Sequence, residues 1–280
     1  MEHNQYDLVI AYRIYPKISK VPAVFPNDKY KLSEFCFKSL ISSFAGKIRA
    51  KFYVILDGCP PEYKDLFLNN YDKNSIEFIE MNGVGNPITF KKQIEILLKQ
   101  NESEYIMLAE DDYFYLPNCF YELTDFLKNN KDADFVTVYD HLDYYTDKIQ
   151  GCKADFKIFK NRYWRSVPAT CMTFLTTKTT LEKAKNVFLT YTRKNYDASI
   201  WLVLTKKNIF NIPLIFDSLF KNKLNLKIIA KVWIYTPLYA LFGKKFKLWN
   251  PMPTIATHLE KSFLAPIIRW EEYFANKDSK

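Results

Sequence analysis

Three adjacent carboxylates, Glu110, Asp111 and Asp112, form the densest group of chemically capable side chains in the sequence. Adjacent like charges repel one another and resist burial unless a cation balances them. Because hard divalent ions such as Mg²⁺ and Mn²⁺ prefer oxygen ligands, one interpretation is a metal site. The other is a solvated acidic turn. The flanking residues favour the metal site, since an apolar run precedes the triplet and bulky aromatic residues follow it.

Two further carboxylates, Asp197 and Asp140, stand beside predicted elements, where an aspartate can act as a helix cap or as a proton acceptor. Asp197 stands near the predicted start of a helix, where aspartate is also a good N-cap, and the sequence leaves base and cap equally open. Asp140 follows a predicted strand and is the reserve candidate. His141 is its neighbour, and nothing beyond that adjacency supports a functional role for it.

His258 is a single histidine late in the chain, and imidazole can act as a ligand. The alternative for a single histidine is a structural or surface role. A loop with Arg162, Trp164 and Arg165 comes before a predicted strand, where diphosphate or acceptor contacts are conceivable. We prefer the interpretation of a basic surface loop, since the whole chain carries a net charge of +9.

Short apolar runs that end in turn signals predict strands, and apolar residues at helical spacing between them predict helices. We expect strands at residues 7–11, 51–56, 75–81, 104–109, 134–139 and about 169–176, with helices at 31–48, 89–100, 119–129 and from 179 or 180. This alternation predicts an α/β fold with a mostly parallel sheet. Ligands bind beyond the carboxyl ends of such strands, so Tyr12, Arg13, Asp57 and the triplet should line one crevice.

The composition excludes several classes of protein. A chain of 280 residues with 48% apolar and 25% charged residues is globular, and its length suits one domain with a tail. The six glycines form neither a dinucleotide-binding fingerprint nor a P-loop. Five dispersed cysteines without a C-x-x-C pair argue against disulfides and structural zinc, and no zinc-protease or serine-hydrolase motif is present.

The C-terminal part, residues 218–280, has a distinct composition. The uncharged run 232–243 contains Trp233 and Tyr239 and has lysines on both sides. These lysines are Lys221, Lys223, Lys227, Lys231, Lys244, Lys245 and Lys247. An amphipathic membrane-surface segment and a helix packed on the core with lysines reaching to water are equally consistent with this pattern. The first six residues lack signal-peptide features and no uncharged run approaches ~20 residues. We therefore expect a cytoplasmic protein, with a peripheral position on the inner membrane face as a further expectation.

The order of these motifs resembles nucleotide-sugar glycosyltransferases of the GT-A fold, most closely family 2, over residues 7–215. In that family a first strand ends in a tyrosine-containing loop, the second ends in an aspartate that contacts the base, and an asparagine and a basic helix start follow. The matching residues here are Ala11, Tyr12, Arg13, Asp57, Asn86, Lys91 and Lys92. The triplet matches the D-x-D signature, which implies Asp111 at the ribose and Asp112 on the metal and diphosphate. The Pro-x-Tyr-Asn and Asp-Asp-Gly-Ser motifs of the family are absent from this sequence.

The resemblance implies a Rossmann-like GT-A domain at residues 1–217, with a nucleotide-binding half (1–115) and an acceptor-binding half (116–217). Residues 218–280 would be a basic, aromatic-rich helical extension that returns His258 to the site. Glu110, Asp112 and His258 would hold Mn²⁺ or Mg²⁺, and Asp197 or Asp140 would be catalytic.

The implied activity is transfer of a sugar from a nucleoside-diphosphate-sugar donor to a hydroxyl of a glycan or lipid-linked acceptor, with inversion, in surface polysaccharide synthesis. A retaining enzyme is the alternative within the fold. Outside glycosyl transfer, the sequence leaves open a sugar nucleotidyltransferase, which needs a glycine-rich loop after the first strand, and a basic nucleic-acid- or membrane-binding module. The acidic triplet would repel phosphates in such a module, so no nucleic-acid partner is expected.

Overall fold

The computed structural model describes residues 5–18 and 20–275, without the side chains of residues 219 and 221. The strands are β1 Leu8–Ile14, β2 Ala50–Asp57, β3 Ile76–Met81, β4 Tyr105–Glu110, β5 Tyr113–Tyr115, β6 Phe135–Thr137, β7 Phe156–Phe159, β8 Arg162–Val167, β9 Phe174–Thr177, β10 Leu248–Met252 and β11 Ala256–His258. The α-helices are α1 Lys29–Phe44, α2 Tyr63–Leu68, α3 Asn86–Lys99, α4 Tyr121–Asn129, α5 Asp143–Thr146, α6 Lys178–Phe188, α7 Asp197–Thr205, α8 Ile212–Lys221, α9 Lys223–Tyr235, α10 Pro237–Phe242 and α11 Trp270–Phe274.

A nine-stranded sheet in the order β3-β2-β1-β4-β9-β6-β10-β8-β7 forms the centre of the fold. The pairs β3–β2, β2–β1 and β1–β4 are parallel, and so is β6–β10, whereas β9 and β8 run against their neighbours. Seven of the nine strands therefore run in one direction. The predicted α/β fold with a mostly parallel central sheet is confirmed.

Strand order reverses at β1. The chain moves outward from β1 to β2 and β3, then crosses through α3 to β4 on the other side of β1. Loops leave β1 and β4 in opposite directions at such a switch point, and a crevice opens beyond the carboxyl ends of the two strands. The side chain of Gln93, which is fully buried on α3, donates to the carbonyl oxygens of Ala11 at 2.7 Å and Ala109 at 2.9 Å. It thereby fixes α3 over the junction of these strands.

Two apolar cores cover the two faces of the sheet. Alternate β1 residues point to opposite faces. Leu8, Ile10 and Tyr12 pack with α1, α2 and α4, whereas Val9 and Ala11 pack with the second core, which contains α3, α6 and α7. The crevice is held between rigid layers, because both cores extend to the strand ends.

The sequence did not predict how residues 218–280 contribute to the sheet. After α8, α9 and α10 the chain enters the sheet as β10, between β6 and β8. β11 then pairs with β5 in a separate two-stranded sheet. Part of the predicted extension is thus internal to the main fold, since β10 is a strand of the central sheet. No helix in the described residues is long and apolar enough to cross a membrane.

Candidate functional site

A cavity of about 370 Å³, which we call the carboxylate cavity, lies at the switch point. Its wall includes Arg13, Asp57 and the whole triplet, so the structure brings these distant strand ends together as predicted. β1 runs to Ile14, three residues beyond the predicted end. Consequently Tyr15 and Lys17, not Ala11 and Tyr12, form the loop at the cavity.

Ala11 and Tyr12 are core residues. Ala11 is fully buried in the middle of β1, and the Tyr12 ring packs edge-on between Phe37 at 5.8 Å and Phe67 at 5.6 Å. The predicted contact of these two residues with a nucleotide is therefore wrong. The physical reason is that β1 pairs with β2 over its full length and with β4 from Val9 to Arg13, which buries the segment that the resemblance assigned to a loop.

Glu110 is held by protein donors on both oxygens. Oε1 accepts from Arg13 Nη2 at 2.5 Å, and Oε2 accepts from Thr173 Oγ1 at 3.1 Å. Arg13 also donates from Nη1 to the Asn86 carbonyl at 2.9 Å, which fastens the start of α3 to the end of β4. A role for Glu110 as a metal ligand would have to displace these bonds. Its position favours a structural role in holding the cavity wall.

Asp111 forms a buried ion pair with Lys29, the first residue of α1. Nζ of Lys29 lies 2.8 Å from Oδ2, which also accepts from Ser33 Oγ at 3.1 Å. Burial raises the pKa of Asp111, and the Lys29 ammonium acts in the opposite direction. The same pair raises the pKa of Lys29 despite its burial. Lys29 therefore stays protonated and supplies a positive charge at the cavity.

Asp112 pairs with His258 across the contact between β5 and β11. His258 Nε2 lies 3.0 Å from Oδ2 of Asp112. Burial tends to raise the pKa of Asp112, but the neighbouring imidazolium outweighs it and lowers that pKa to about 2. The pKa of His258 is raised in return, against the effect of its burial. The other carboxylate oxygen, Oδ1 of Asp112, is buried and has no hydrogen-bond partner among the described residues.

This unpartnered oxygen is the one observation that fits a cation at the cavity. A buried carboxylate oxygen without a donor is costly, and a metal ion would satisfy it. The described residues contain no group of three or more His, Cys, Asp or Glu side chains arranged to hold a metal. Mg²⁺ is commonly held by one or two carboxylates together with substrate phosphates and waters, so the single carboxylate of Asp112 fits that mode of binding, whereas the predicted role of His258 as a ligand does not fit an imidazolium that pairs with Asp112.

Asp57 holds the loop that leads into α3. Oδ1 accepts from the Val84 amide at 2.7 Å and Oδ2 from the Gly85 amide at 2.8 Å. Gly85 has φ +83°, a left-handed conformation that glycine adopts without strain. Both carboxylate oxygens of Asp57 thus accept hydrogen bonds from backbone amides. The predicted contact of Asp57 with a nucleotide base stays a prediction.

Lys91 and Lys92 do not line the carboxylate cavity. Lys91 pairs with Glu95 at 3.6 Å on the exposed side of α3, and Lys92 lines a different hollow with Tyr53 and Glu102. Asn86 does line the cavity, as the first residue of α3. The cations that the structure supplies instead are Lys17 and Lys29. Lys29 follows Asp28, the N-cap of α1. An aspartate at that position was the signal in the sequence that a helix begins at Lys29.

A second cavity of about 290 Å³, the Asp197 cavity, includes His141, Cys171 and Asp197 in its wall. Asp197 is the first residue of α7; Tyr196 is the N-cap, and Asp197 Oδ1 accepts from the Ala198 amide at 2.7 Å. Burial raises the pKa of Asp197, so its carboxylate is a stronger base than an exposed one.

The two cavities are electrostatically connected. Burial raises the pKa of the Cys171 thiol, and the negative charges of Asp197, Glu110 and Asp112 raise it further. The charge of Glu110 also raises the pKa of Asp197. Cys171, in the wall of the Asp197 cavity, is therefore within electrostatic reach of both Asp197 and the triplet.

Asp140 is engaged in an ion pair and lines neither cavity. Oδ1 accepts from Arg165 Nη2 at 2.5 Å and Oδ2 from the Tyr145 hydroxyl at 2.8 Å, with Asp140 only 1% exposed. These bonds favour a structural role over the predicted reserve role as a base. Arg162 binds Glu122 at 2.5 Å and Trp164 stacks on Phe126 at 3.7 Å. Both residues lie on strand β8 and Trp164 is fully buried, so the predicted basic surface loop is wrong.

Comparisons with known proteins identify similar folds only. No protein-family model and no curated protein matches the chain. Among solved structures, a complex of galactosyltransferase LgtC with donor and acceptor sugar analogues is 14% identical, covering 89% of this chain and 86% of its own, with a TM-score of 0.40. Staphylococcus aureus TarS 1–349 with UDP is 11% identical, covering 70% and 54%, with a TM-score of 0.41.

A third similar structure comes from Desulfovibrio desulfuricans G20 and is described as a nucleotide-diphospho-sugar transferase. It is 11% identical, covers 82% of this chain and 98% of its own, and has a TM-score of 0.43. These scores are low, so the case for a function rests on the contacts and charges of the site.

Proposed function

We propose that the chain is a glycosyltransferase that moves a sugar from a nucleoside-diphosphate-sugar donor to an acceptor hydroxyl. The unpartnered Oδ1 of Asp112, buried at the switch point beside His258, is the observation that carries this proposal. It provides a place for a divalent cation, and a diphosphate is the ligand that would share such a cation.

The carboxylate cavity suits an anionic ligand in spite of its acidic residues. Arg13 and Lys29 neutralise Glu110 and Asp111 within the wall, and Lys17 adds a further positive charge. The 16-residue helix α1 and the 14-residue helix α3 both begin at the cavity, and helix N-termini stabilise phosphate groups through their free amides and dipole.

A divalent cation, Mn²⁺ or Mg²⁺, would be held by Oδ1 of Asp112, and His258, whose imidazolium pairs with Oδ2, would orient that carboxylate rather than bind the metal. When bound, it would neutralise the charge that develops on the diphosphate leaving group. The protein's own contribution is to orient Asp112: His258 fixes one carboxylate oxygen and leaves the other without a protein partner.

Asp197 is the proposed general base. Its carboxylate takes the proton of the acceptor hydroxyl while the acceptor oxygen forms a bond to the anomeric carbon and the bond from that carbon to the diphosphate breaks. The products are the glycoside, with inverted configuration, and a nucleoside diphosphate. A raised pKa increases the basicity available for this step. The Asp197 cavity would then hold the acceptor, a glycan or lipid-linked hydroxyl.

Two competing functions have weaker support. A sugar nucleotidyltransferase would need a glycine-rich loop after β1, and the first glycine in the sequence is Gly46. A simple basic binding module gives no role to a set of ordered carboxylates that are matched to Lys29, Arg13 and His258.

The test is calorimetric titration of UDP, GDP, CDP and dTDP into the protein with Mn²⁺ and then with EDTA. We expect one nucleotide to bind preferentially, to need the metal, and to lose at least about tenfold in affinity in Asp112→Asn, because the metal loses a charged ligand. Asp65→Asn, an exposed substitution on α2, is the matched control and should bind as the unmodified protein does. If no nucleotide binds, or if Asp112→Asn changes nothing, the proposal is wrong.

A further inference from the structure

Helix α8 exposes an apolar stripe. Ile212, Phe216 and Phe220 follow one another at intervals of four residues. Their exposed fractions are 63%, 60% and 85%, respectively. A spacing of four places them on one side of a helix. Large apolar groups exposed together on a soluble protein mark an interaction surface, whereas scattered single ones need no explanation.

The stripe belongs to a larger apolar surface on α8–α10. Phe210, just before α8, packs its ring 5.7 Å from Trp233 of α9, which connects the α8 region with the middle of α9. Helix α10 packs on α9 and adds further exposed apolar side chains. We define the α8–α10 surface by its exposed apolar residues, which are Phe210, Ile212, Phe216, Phe220, Leu224, Ile234, Leu238, Leu241 and Phe242.

The same segment is strongly positive. Residues 206–247 contain nine lysines and a single acidic residue, Asp217. The Asp217 carboxylate is already paired with Lys148 at 3.0 Å. Lys223, Lys227 and Lys245 are exposed and form no ion pair with another described residue. Their charges are available to a partner outside the chain.

Helix α9 joins this surface to the Asp197 cavity. Leu224 and Ile228 are part of the cavity wall, and Leu224 is also 57% exposed. Asn225, between them, donates to Asp147 Oδ1 at 2.9 Å and so fixes α9 to the opposite side of the cavity. Leu224 therefore belongs both to the wall of the Asp197 cavity and to the exposed apolar surface.

We propose that the α8–α10 surface lies on an anionic phospholipid bilayer and holds the mouth of the Asp197 cavity at the lipid surface. Apolar side chains enter the head-group region while lysines meet the anionic head groups, the usual chemistry of interfacial helices. A second copy of the chain fits less well, because a twofold contact would bring these lysines face to face. That the cavity then receives an acceptor anchored in the bilayer rests on the proposed function.

Flotation of the full chain with vesicles tests the membrane contact. We expect binding to phosphatidylcholine vesicles that contain phosphatidylglycerol and none to phosphatidylcholine alone. Lys223→Glu with Lys227→Glu should weaken binding at least about tenfold, because two attractive charges become repulsive. Phe216→Ser with Phe220→Ser should weaken it by a similar factor of about ten, because two inserted rings are lost.

Two control variants match these changes on other surfaces. Lys73→Glu with Lys183→Glu alters the net charge equally at exposed positions of other elements. Phe156→Ser with Ile158→Ser removes apolar groups that are 66% and 71% exposed on β7. Both controls should float as the unmodified protein does. Equal losses in controls and test variants, or no flotation of the unmodified protein, would overturn the proposal.

Light scattering without lipid tests the alternative that a second copy of the chain covers the α8–α10 surface. A dimer that becomes monomeric in Phe216→Ser with Phe220→Ser would show that a second copy covers the surface, and the membrane proposal would fail. Once the nucleotide is known, transfer to a dissolved alkyl glycoside should be unchanged in that variant, whereas transfer to the same glycoside anchored in vesicles should fall. Absence of transfer to either acceptor by the unmodified protein would contradict the proposed function and leave the flotation result unaffected.

Discussion

The imidazole Nε2 of His258 lies 3.0 Å from Oδ2 of Asp112, although 146 positions separate the two residues along the chain. The antiparallel pairing of β11 with β5 produces this contact, because its register sets His258 opposite Tyr113, the residue that follows Asp112. Thr257 and Ala256 lie opposite the next two residues of β5. The end of β4 is therefore completed by a strand from the last part of the described chain.

Replacing His258 should weaken the proposed metal site. In His258→Ala, Asp112 loses the group that orients it, so affinity for Mn²⁺ in the presence of the preferred nucleotide should fall about 10–100-fold. Electron paramagnetic resonance of free Mn²⁺ measures this. His141→Ala, in the wall of the Asp197 cavity, is the control and should retain affinity. Equal losses in both variants would argue against a specific role of His258.

Replacing Lys29 should destabilise the fold. The side chains of Lys29 and Asp111 are 10% and 11% exposed, and Lys29→Met leaves a buried carboxylate without its cation. The free energy of unfolding should fall by about 3 kcal/mol. Urea denaturation measures it, and Lys29→Met with Asp111→Asn should recover most of the loss. A single variant as stable as the unmodified protein would mean that the ion pair makes no net contribution.

Replacing Asp57 separates two roles for this residue. Asp57→Asn puts an amide nitrogen where an oxygen now accepts from Val84 or Gly85, so the free energy of unfolding should fall by about 2 kcal/mol. Affinity for every nucleotide should fall together, because the loop at the start of α3 moves. Unchanged stability with a loss confined to one base would instead support the direct base contact that the family resemblance implies.

Asp197 should set the acidic limb of the pH–rate profile. Because burial raises its pKa, the proton-accepting carboxylate is lost as the pH falls through a value above the usual ~3.9. Asp197→Asn should remove this limb and lower turnover about 10²–10⁴-fold with nucleotide affinity unchanged. Asp143→Asn in the same cavity is the control. A limb that persists in Asp197→Asn would assign the base elsewhere.

The raised pKa of Asp197 also predicts that the free energy of unfolding depends on pH. A carboxyl group whose pKa is higher in the folded state binds protons more tightly there, so folding loses stability as the pH rises from the unfolded pKa through the folded one. Asp197→Asn should therefore raise the free energy of unfolding at neutral pH relative to the unmodified protein. Thermal denaturation at neutral and acidic pH measures the difference, which should shrink at acidic pH.

Asp140 should behave as a structural residue. Arg165→Met leaves the buried Asp140 with Tyr145 as its remaining side-chain partner and should lower the free energy of unfolding by about 3 kcal/mol. Arg165→Met with Asp140→Asn should recover much of it, and the pH–rate profile of the double variant should keep the acidic limb. Loss of that limb, measured on folded protein, would restore Asp140 as the candidate base.

Local patterns were enough to locate most of the sheet and the triplet. Apolar runs and turn signals placed β2, β3 and β4 within two residues of their observed ends, because a short apolar run bounded by turn residues is the local pattern of a buried strand. β1 was predicted too short, since Tyr12 and Arg13 look polar in isolation. The structure buries both: Tyr12 packs in an aromatic core and Arg13 pairs with Glu110.

The sequence by itself determined the α/β class, the strand end that bears the carboxylates, and the candidates Asp112, His258 and Asp197, because strand length, turn chemistry and residue type are local properties. Only the tertiary structure decided which residues meet. It paired Asp111 with Lys29, Glu110 with Arg13 and Asp140 with Arg165, and it moved Lys91 and Lys92 away from the cavity. It also inserted β10 into the sheet. These choices depend on strand order and helix rotation, which arise from packing between distant segments.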